Sequence, residues 1–303
     1  MSALASFVMR GRLQAALVTA VSAWLLPPFS SVIGNAVVAL ATLRRGMGEG
    51  ALLMLLAAAG LCVLALPLFG QAAPLLALSL GLLYWLPVWL LAGVLRTTVS
   101  LPLALLTGVA LGLLALLLTY AWLGDPAARW VELLGQFKPL FQEAGLQVDE
   151  ALVDQWIRYQ APFLTGLTVV LQLAVVYCGL LLGRAWQARL YNPDGFRQEF
   201  HGLRLGRTLA LAAATSIVLA GVLGQIWLVN LALLLGLLFV FQGLALLHGL
   251  VGLAGLSKGW LVALYVLLSL ALPQMLLLLS LIGILDAWID LRARVKPKSP
   301  LGQ

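Results

Sequence analysis

WLVNLALLLGLLFVFQGLALLHGLVGL, residues 227–253, runs for 27 positions without a Lys, Arg, Asp or Glu. As an α-helix it reaches about 40 Å, more than the ~30 Å hydrocarbon core of a bilayer. The rest of the chain is of the same kind. Of 303 residues, 63% are apolar and only 10% charged, with a mean hydropathy of +1.06. A soluble domain of this size needs about 25% charged residues to cover its surface. Spans of a membrane β-barrel are short and alternate polar with apolar residues, and these runs do neither. The composition therefore predicts an all-α, polytopic helical transmembrane bundle.

Apolar runs fall at residues 13–26, 29–43, 50–69, 73–95, 99–123, 161–186, 206–224, 227–253 and 259–290, giving about 8 to 10 membrane helices or half-helices. Arg10 and Arg12 precede the first run, which ends at Pro27-Pro28 without a small-residue cleavage site, so it reads as a retained anchor. Cys62 and Cys178 sit inside apolar runs, where a thiol behaves as a small hydrophobe and no metal set forms.

Short-loop Lys and Arg set orientation. Arg10, Arg12, Arg44, Arg45, Arg96, Arg184, Arg189, Arg197, Arg204, Arg207, Lys258, Arg292, Arg294, Lys296 and Lys298 fall on one predicted side. Arg129, Lys138 and Arg158 fall on the other, a ratio of 15 to 3 that makes the first side cytoplasmic. The same sorting imposes a parity. Runs 13–43 and 259–290 must each enter and return, although each half spans only about 21 Å. Both termini are then cytoplasmic. The whole of 1–303 is one integral membrane domain, with an outer amphipathic insert at 125–160, a basic cytoplasmic loop at 187–205 and a basic cytoplasmic tail at 292–303.

In the insert, Asp125-Pro126 is a helix start, followed by Trp130, Leu133, Leu134, Phe137, Leu140 and Phe141 at spacings of three and four. After Gly145, residues Val148, Leu152, Trp156 and Tyr159 repeat the stripe. Two short interfacial helices are expected, as a structural cover or as a lid. The inner loop turns at Asn192-Pro193-Asp194-Gly195 between basic flanks, which suit anionic lipid or a docked cytoplasmic protein.

Small residues four apart mark closely packed helix faces: Ala16 with Ala20, Gly108 with Gly112, Gly179 with Gly183, and the series Ala212, Ser216, Ala220, Gly224. Polar groups at membrane depth are few: Asn35, Gln172, Asn230, Gln242, His248 and Gln274, with Asp286 and Asp290 nearer the inner end. Each is costly unless it faces protein or water. Tyr84, Trp85 and Trp89 bracket Pro87 near mid-segment, where a kinked helix can present rings to a pocket or simply pack. Candidate ligand-lining residues are thus Tyr84, Trp85, Trp89, Arg96, Asn230, Gln242, His248 and Asp286. No HExxH, P-loop or GxSxG motif occurs, so neither an enzyme nor a bound cofactor is expected.

Five stretches, LATLRRGMGEG from Leu40, WLPVWLLAGVLRTTVSL from Trp85, YNPDGFRQEFHGLRLGR from Tyr191, FQGLALLHGL from Phe241 and GILDAWIDLRAR from Gly283, together resemble the YybS-like family of bacterial inner-membrane proteins. The resemblance covers essentially the whole chain. That family is distantly similar to the substrate-binding S-components of energy-coupling-factor transporters, helical bundles that dock through Ala-rich helices. It implies a transporter-like protein holding a small solute in the bundle, with Ala16 and Ala20 placed for docking. More segments and the outer insert depart from the six-helix S-component plan. The alternative function is a membrane scaffold recruiting partners through the basic loop and tail. Expected partners are the lipid bilayer and other membrane or cytoplasmic proteins, with no nucleic acid.

Overall fold

The computed structural model describes residues 2–25, 30–143 and 149–295. The hinge at Pro27-Pro28, the positions Gly145 and Val148, and Lys296 and Lys298 of the tail lie outside the described residues. Those described fold into helices without a strand. In order they are α1 (Ser2–Arg10), α2 (Arg12–Trp24), α3 (Ser31–Arg45), α4 (Met47–Phe69), α5 (Ala73–Leu80) and α6 (Leu86–Thr98). A 3-10 turn at Gly70–Ala72 leads into α5, and a π-turn at Gly81–Trp85 leads into α6. Then come α7 (Leu101–Leu123), α8 (Pro126–Gly135), α9 (Lys138–Glu143), α10 (Glu150–Tyr191), α11 (Gly195–His201), α12 (Arg207–Leu223), α13 (Ile226–Leu253), α14 (Gly259–Leu270), α15 (Leu272–Ile289) and α16 (Leu291–Arg294).

Among the described residues, five helical stretches are long and apolar enough to cross a membrane: Met47–Thr98, Leu101–Leu123, Glu150–Tyr191, Ile226–Leu253 and Leu272–Ile289. The first folds back on itself, since Trp89 Nε1 donates to the Met47 carbonyl at 2.9 Å. Much of the surface is apolar, with Leu55, Leu68, Leu118, Val222 and Leu277 all exposed. Such patches belong against lipid or protein.

Contacting residues fix the helix directions. Asn35 and Ala39 of α3 meet Gly179 and Gly183 of α10, so these two run parallel. Asn230 and Phe241 of α13 meet Gly166 and Tyr177 of α10, again in parallel. Phe239 and Gln242 of α13 meet Gly283 and Asp286 of α15, a third parallel pair. Trp85 and Arg96 place α6 parallel to α3. Against these run α2 and α4, which are parallel to each other through Arg12 with Glu49 and Trp24 with Phe69. Also opposed are α7, whose Tyr120 and Gly112 meet Trp227 and Leu234, and α12 and α14, which join α13 through short turns.

Local chemistry explains the breaks. Ser100, Asp125 and Asp149 cap α7, α8 and α10, and Pro102 and Pro126 follow in first turns where no N–H is needed. Pro87 cannot donate to the carbonyl of Leu83, and the π-turn lies just before it. Gln172 Nε2 on α10 donates to that freed Leu83 carbonyl at 2.8 Å. One of the expected polar groups at depth is therefore a backbone plug.

α10 departs from the expected pattern. Its 42 residues include the second amphipathic stripe, Leu152, Trp156 and Tyr159, with no break before the apolar run. Pro162 lies inside this helix and removes one backbone bond without ending it. The small-residue pairs lie at helix crossings. Gly108 abuts the Tyr177 ring and Gly112 abuts Leu234. Ala16 and Ala20 are buried within the chain's own bundle, with Ala20 facing Gly60 of α4, so that face is already covered.

Candidate functional site

The cations gather at one end, where α3, α6, α10, α13 and α15 finish. Arg12 pairs with Glu49, Arg45 donates to the Met9 carbonyl, and Arg44 sits 4.2 Å above the Tyr191 ring. Arg184 pairs with Glu199 at 2.8 Å, and Arg204 holds Asp290 through two bonds at 2.8 and 2.9 Å. At the opposite end Arg129 pairs with Glu132, and Lys138 with Asp154.

The sequence candidates divide into separate neighbourhoods. Trp85 is fully buried beside Gly34, Trp89 is tied to Met47, and Arg96 Nη1 donates to the Leu43 carbonyl at 2.6 Å. Arg96 thereby satisfies a carbonyl left open at the C-terminus of α3. With Tyr84, also buried, these residues join α6 to α3 and α4. Asn230 is buried against Gly166, its amide atoms unpartnered among the described residues.

Gln242 and Asp286 do come together. Gln242 Oε1 accepts from the Leu205 N–H at 2.9 Å, and its Nε2 donates to the Gly283 carbonyl at 2.9 Å and to Asp286 Oδ2 at 3.4 Å. Asp286 also accepts from Arg292 Nη1 at 3.0 Å and from the Leu291 N–H at 3.1 Å. This network pins the inner loop, α13, α15 and α16 to one another.

His248 alone of the eight lines the largest of three described cavities, about 1020 Å³, at the basic end between α11, α13 and α14. Arg197, His201, Lys258 and Tyr265 supply its other large polar side chains, and Val251, Leu256, Leu261, Val262, Val266 and Leu270 its apolar walls. His248 Nδ1 lies 2.8 Å from the Leu244 carbonyl, which can only accept, so Nδ1 carries the proton. Nε2 lies within hydrogen-bond distance, 3.2 Å, of the Tyr265 hydroxyl. The His201 ring lies 6.3 Å from that of His248. Burial lowers the His201 pKa, helped by the positive charge of Arg197 and by His248 and Arg292. Glu199, on the same helix, is raised by burial against the opposing pull of Arg184.

The cavity exists because α14 stands away from the bundle. Of its 12 residues only Leu264 is buried, while Val262, Tyr265, Val266 and Leu270 remain exposed. Arg197 and His201 lie four apart on α11, a helix within the stretch expected as a basic loop, and nothing in the sequence brought that face to α14. Two smaller cavities lie at the other end. One, about 440 Å³, is lined by Leu134, Phe137, Leu152, Val153, Trp156 and Ile157, and the other, about 260 Å³, surrounds Trp130 and Thr165. Among the described residues no three His, Cys, Asp or Glu side chains gather to hold a metal ion. The chain matches no family model, no curated protein and no solved structure.

Proposed function

We propose that this chain is a multi-pass protein of a bacterial inner membrane, transporter-like in the manner of an S-component, that holds a small ligand in the cavity beside His248. The observation that carries this reading is the cavity itself, about 1020 Å³ and placed among basic residues at one end of an apolar bundle. That volume falls at the upper end of small-molecule sites, which combine apolar walls with a few placed polar groups. In this reading α2, α3, α4, α5 with α6, α7, α10, α12, α13, α14 and α15 are successive passes or half-passes. Both termini lie on the cytoplasmic side, as the Lys and Arg distribution supports. The segment 125–160, which includes the start of α10, forms the outer amphipathic insert.

The scaffold alternative needs a free basic loop. In this chain Leu203 of that loop is buried, Leu205 is bonded to Gln242, Arg204 is paired with Asp290, and Arg197 lines the cavity, so most of the loop is committed to the chain's own fold. Ligand capture is therefore preferred.

The test uses purified full-length protein screened by thermal shift and native mass spectrometry against vitamins, nucleobases and anionic lipids. A ligand present at 100 times its dissociation constant stabilises by about 2.7 kcal/mol, which gives a readable rise in Tm. Val266→Trp, which fills the cavity from α14, should abolish that rise. A retained ligand whose shift survives Val266→Trp would place binding elsewhere.

A further inference from the structure

We infer that the occupant of the His248 cavity is a phosphate-bearing amphiphile of net negative charge, its headgroup held by Arg197, Lys258 and His201 and its chain laid along α14. The inference rests on the ligand-binding reading above and names the chemistry of the same site.

Charge is the first argument. Arg197 and Lys258 are exposed, line the cavity and make no ion pair among the described residues. Among the described residues no carboxylate lines the cavity with them. The nearby acids are engaged elsewhere, Glu199 by Arg184, Asp290 by Arg204 and Asp286 by Arg292. Two unpaired cations and a histidine therefore face an open space with no counter-ion among the described residues. A guanidinium beside an ammonium suits the several oxygens of a phosphate.

The second argument is polarity along the cavity. Lys258 stands at the start of α14, and Leu261, Val262, Val266 and Leu270 follow along its length, about 18 Å for 12 residues. One end of the space is thus cationic and the remainder mostly apolar, interrupted by His248, Tyr265 and Ser269. A compact polar solute would leave that apolar length unfilled, whereas an acyl chain covers it. The space lies between α11, α13 and α14, and the apolar surfaces of α13 and α14 suit an amphiphile drawn from the bilayer.

The balance of groups also explains His248. Both its ring nitrogens are occupied, by the Leu244 carbonyl and the Tyr265 hydroxyl. It fixes α14 to α13 and sets the width of the cavity; His201, with no hydrogen bond to its ring among the described residues, is the imidazole free to meet a headgroup.

Detergent-purified full-length protein is titrated with phosphatidylglycerol or phosphatidylcholine, and bound lipid is counted by native mass spectrometry. Wild type should retain one phosphatidylglycerol, with phosphatidylcholine at least tenfold weaker. Arg197→Gln with Lys258→Gln, both exposed and outside the core, should weaken phosphatidylglycerol about tenfold or more and leave phosphatidylcholine unchanged. Inorganic phosphate at millimolar concentration should not displace the lipid, and displacement would mean that the site takes a free anion. Equal retention of the two lipids, or of phosphatidylglycerol by wild type and the double variant, would overturn the headgroup assignment. If Val266→Trp lowers retention while the double variant does not, the cavity reading stands and this inference falls. If Val266→Trp changes nothing, both fall together.

Discussion

Asp286 shows how few polar atoms hold the basic end together. Its side chain is 2% exposed and that of Arg292 is 8% exposed, so their ion pair is almost wholly desolvated. Removing one partner of such a pair leaves an uncompensated charge. Asp286→Ala should therefore destabilise by about 3–5 kcal/mol, measured by unfolding in mild detergent, because Arg292, Gln242 and the Leu291 N–H all lose an acceptor. Asp286→Met with Arg292→Met should recover most of that loss, since an apolar pair removes both charges together. His201 makes a prediction in pH. Burial and the positive charge of Arg197 depress its folded pKa below the ordinary 6.5, so between the two values the unfolded chain binds more protons. Stability from this group is present above pH 6.5 and is lost as the pH falls through that value. Thermal unfolding of His201→Gln between pH 8 and 5.5 should show a flatter decline than wild type, and an unchanged slope would assign the pH dependence to other groups. Individual polar residues at depth were legible because their cost in lipid singles them out. Their partners were not. Gln242 reaches Gly283 and Asp286 only because two helices far apart in sequence run parallel, and no periodicity encodes that.

Among the elements, α13 and α15 pack closely, and glycine makes the contact possible. A Cβ on Gly243 would fall on the backbone carbonyl of Leu279, and one on Gly283 on that of Phe239. Neither obstacle is a side chain that can rotate away. Helices in lipid gain little from burying apolar surface, so close backbone approach supplies much of their association. Gly243→Ala and Gly283→Ala should each force the pair apart at a cost of about 1–3 kcal/mol, comparable to overpacking a core. Gly236→Ala is the control on the same helix, because its Cβ would lie 3.5 Å from Ser280 Oγ, an ordinary contact. Equal loss at all three positions would exclude the crossing as its cause; helix propensity alone predicts a gain, because Ala is the better helix former. The motif series on α12 illustrates the limit of spacing arguments: Ala210, Ala213 and Ser216 are buried there, while Ala212 and Gly224 are exposed. A helix apolar on every side offers no stripe to show which face meets protein. For the same reason nothing in α14 announced that it would stand off and leave a cavity behind it.

At the scale of the whole molecule, charge and backbone direction bear on one question. The described cations assigned by sequence to the inner side, from Arg10 to Arg294, belong to segments at the end where α3, α6, α10, α13 and α15 finish. Arg129 and Lys138 lie at the other end. α14 is the weak link in that arrangement, since its 12 residues span about 18 Å, well short of the ~30 Å core. Its direction is fixed by Tyr265 meeting His248 and by α15 running parallel to α13. Between two parallel helices a connecting one must return, so Lys258 and Asp290 belong to the same face. Single cysteines introduced after Cys62→Ala and Cys178→Ala test this directly. Gln198→Cys and Ser257→Cys should react with a membrane-impermeant maleimide only from the cytoplasmic side. Glu132→Cys and Gln225→Cys should react only from the opposite side. All four positions are exposed, so lack of labelling from a given side reports the membrane barrier and not burial in protein. Labelling of Ser257→Cys together with Glu132→Cys would reverse α14, detach Lys258 from the basic end and remove the headgroup site with it.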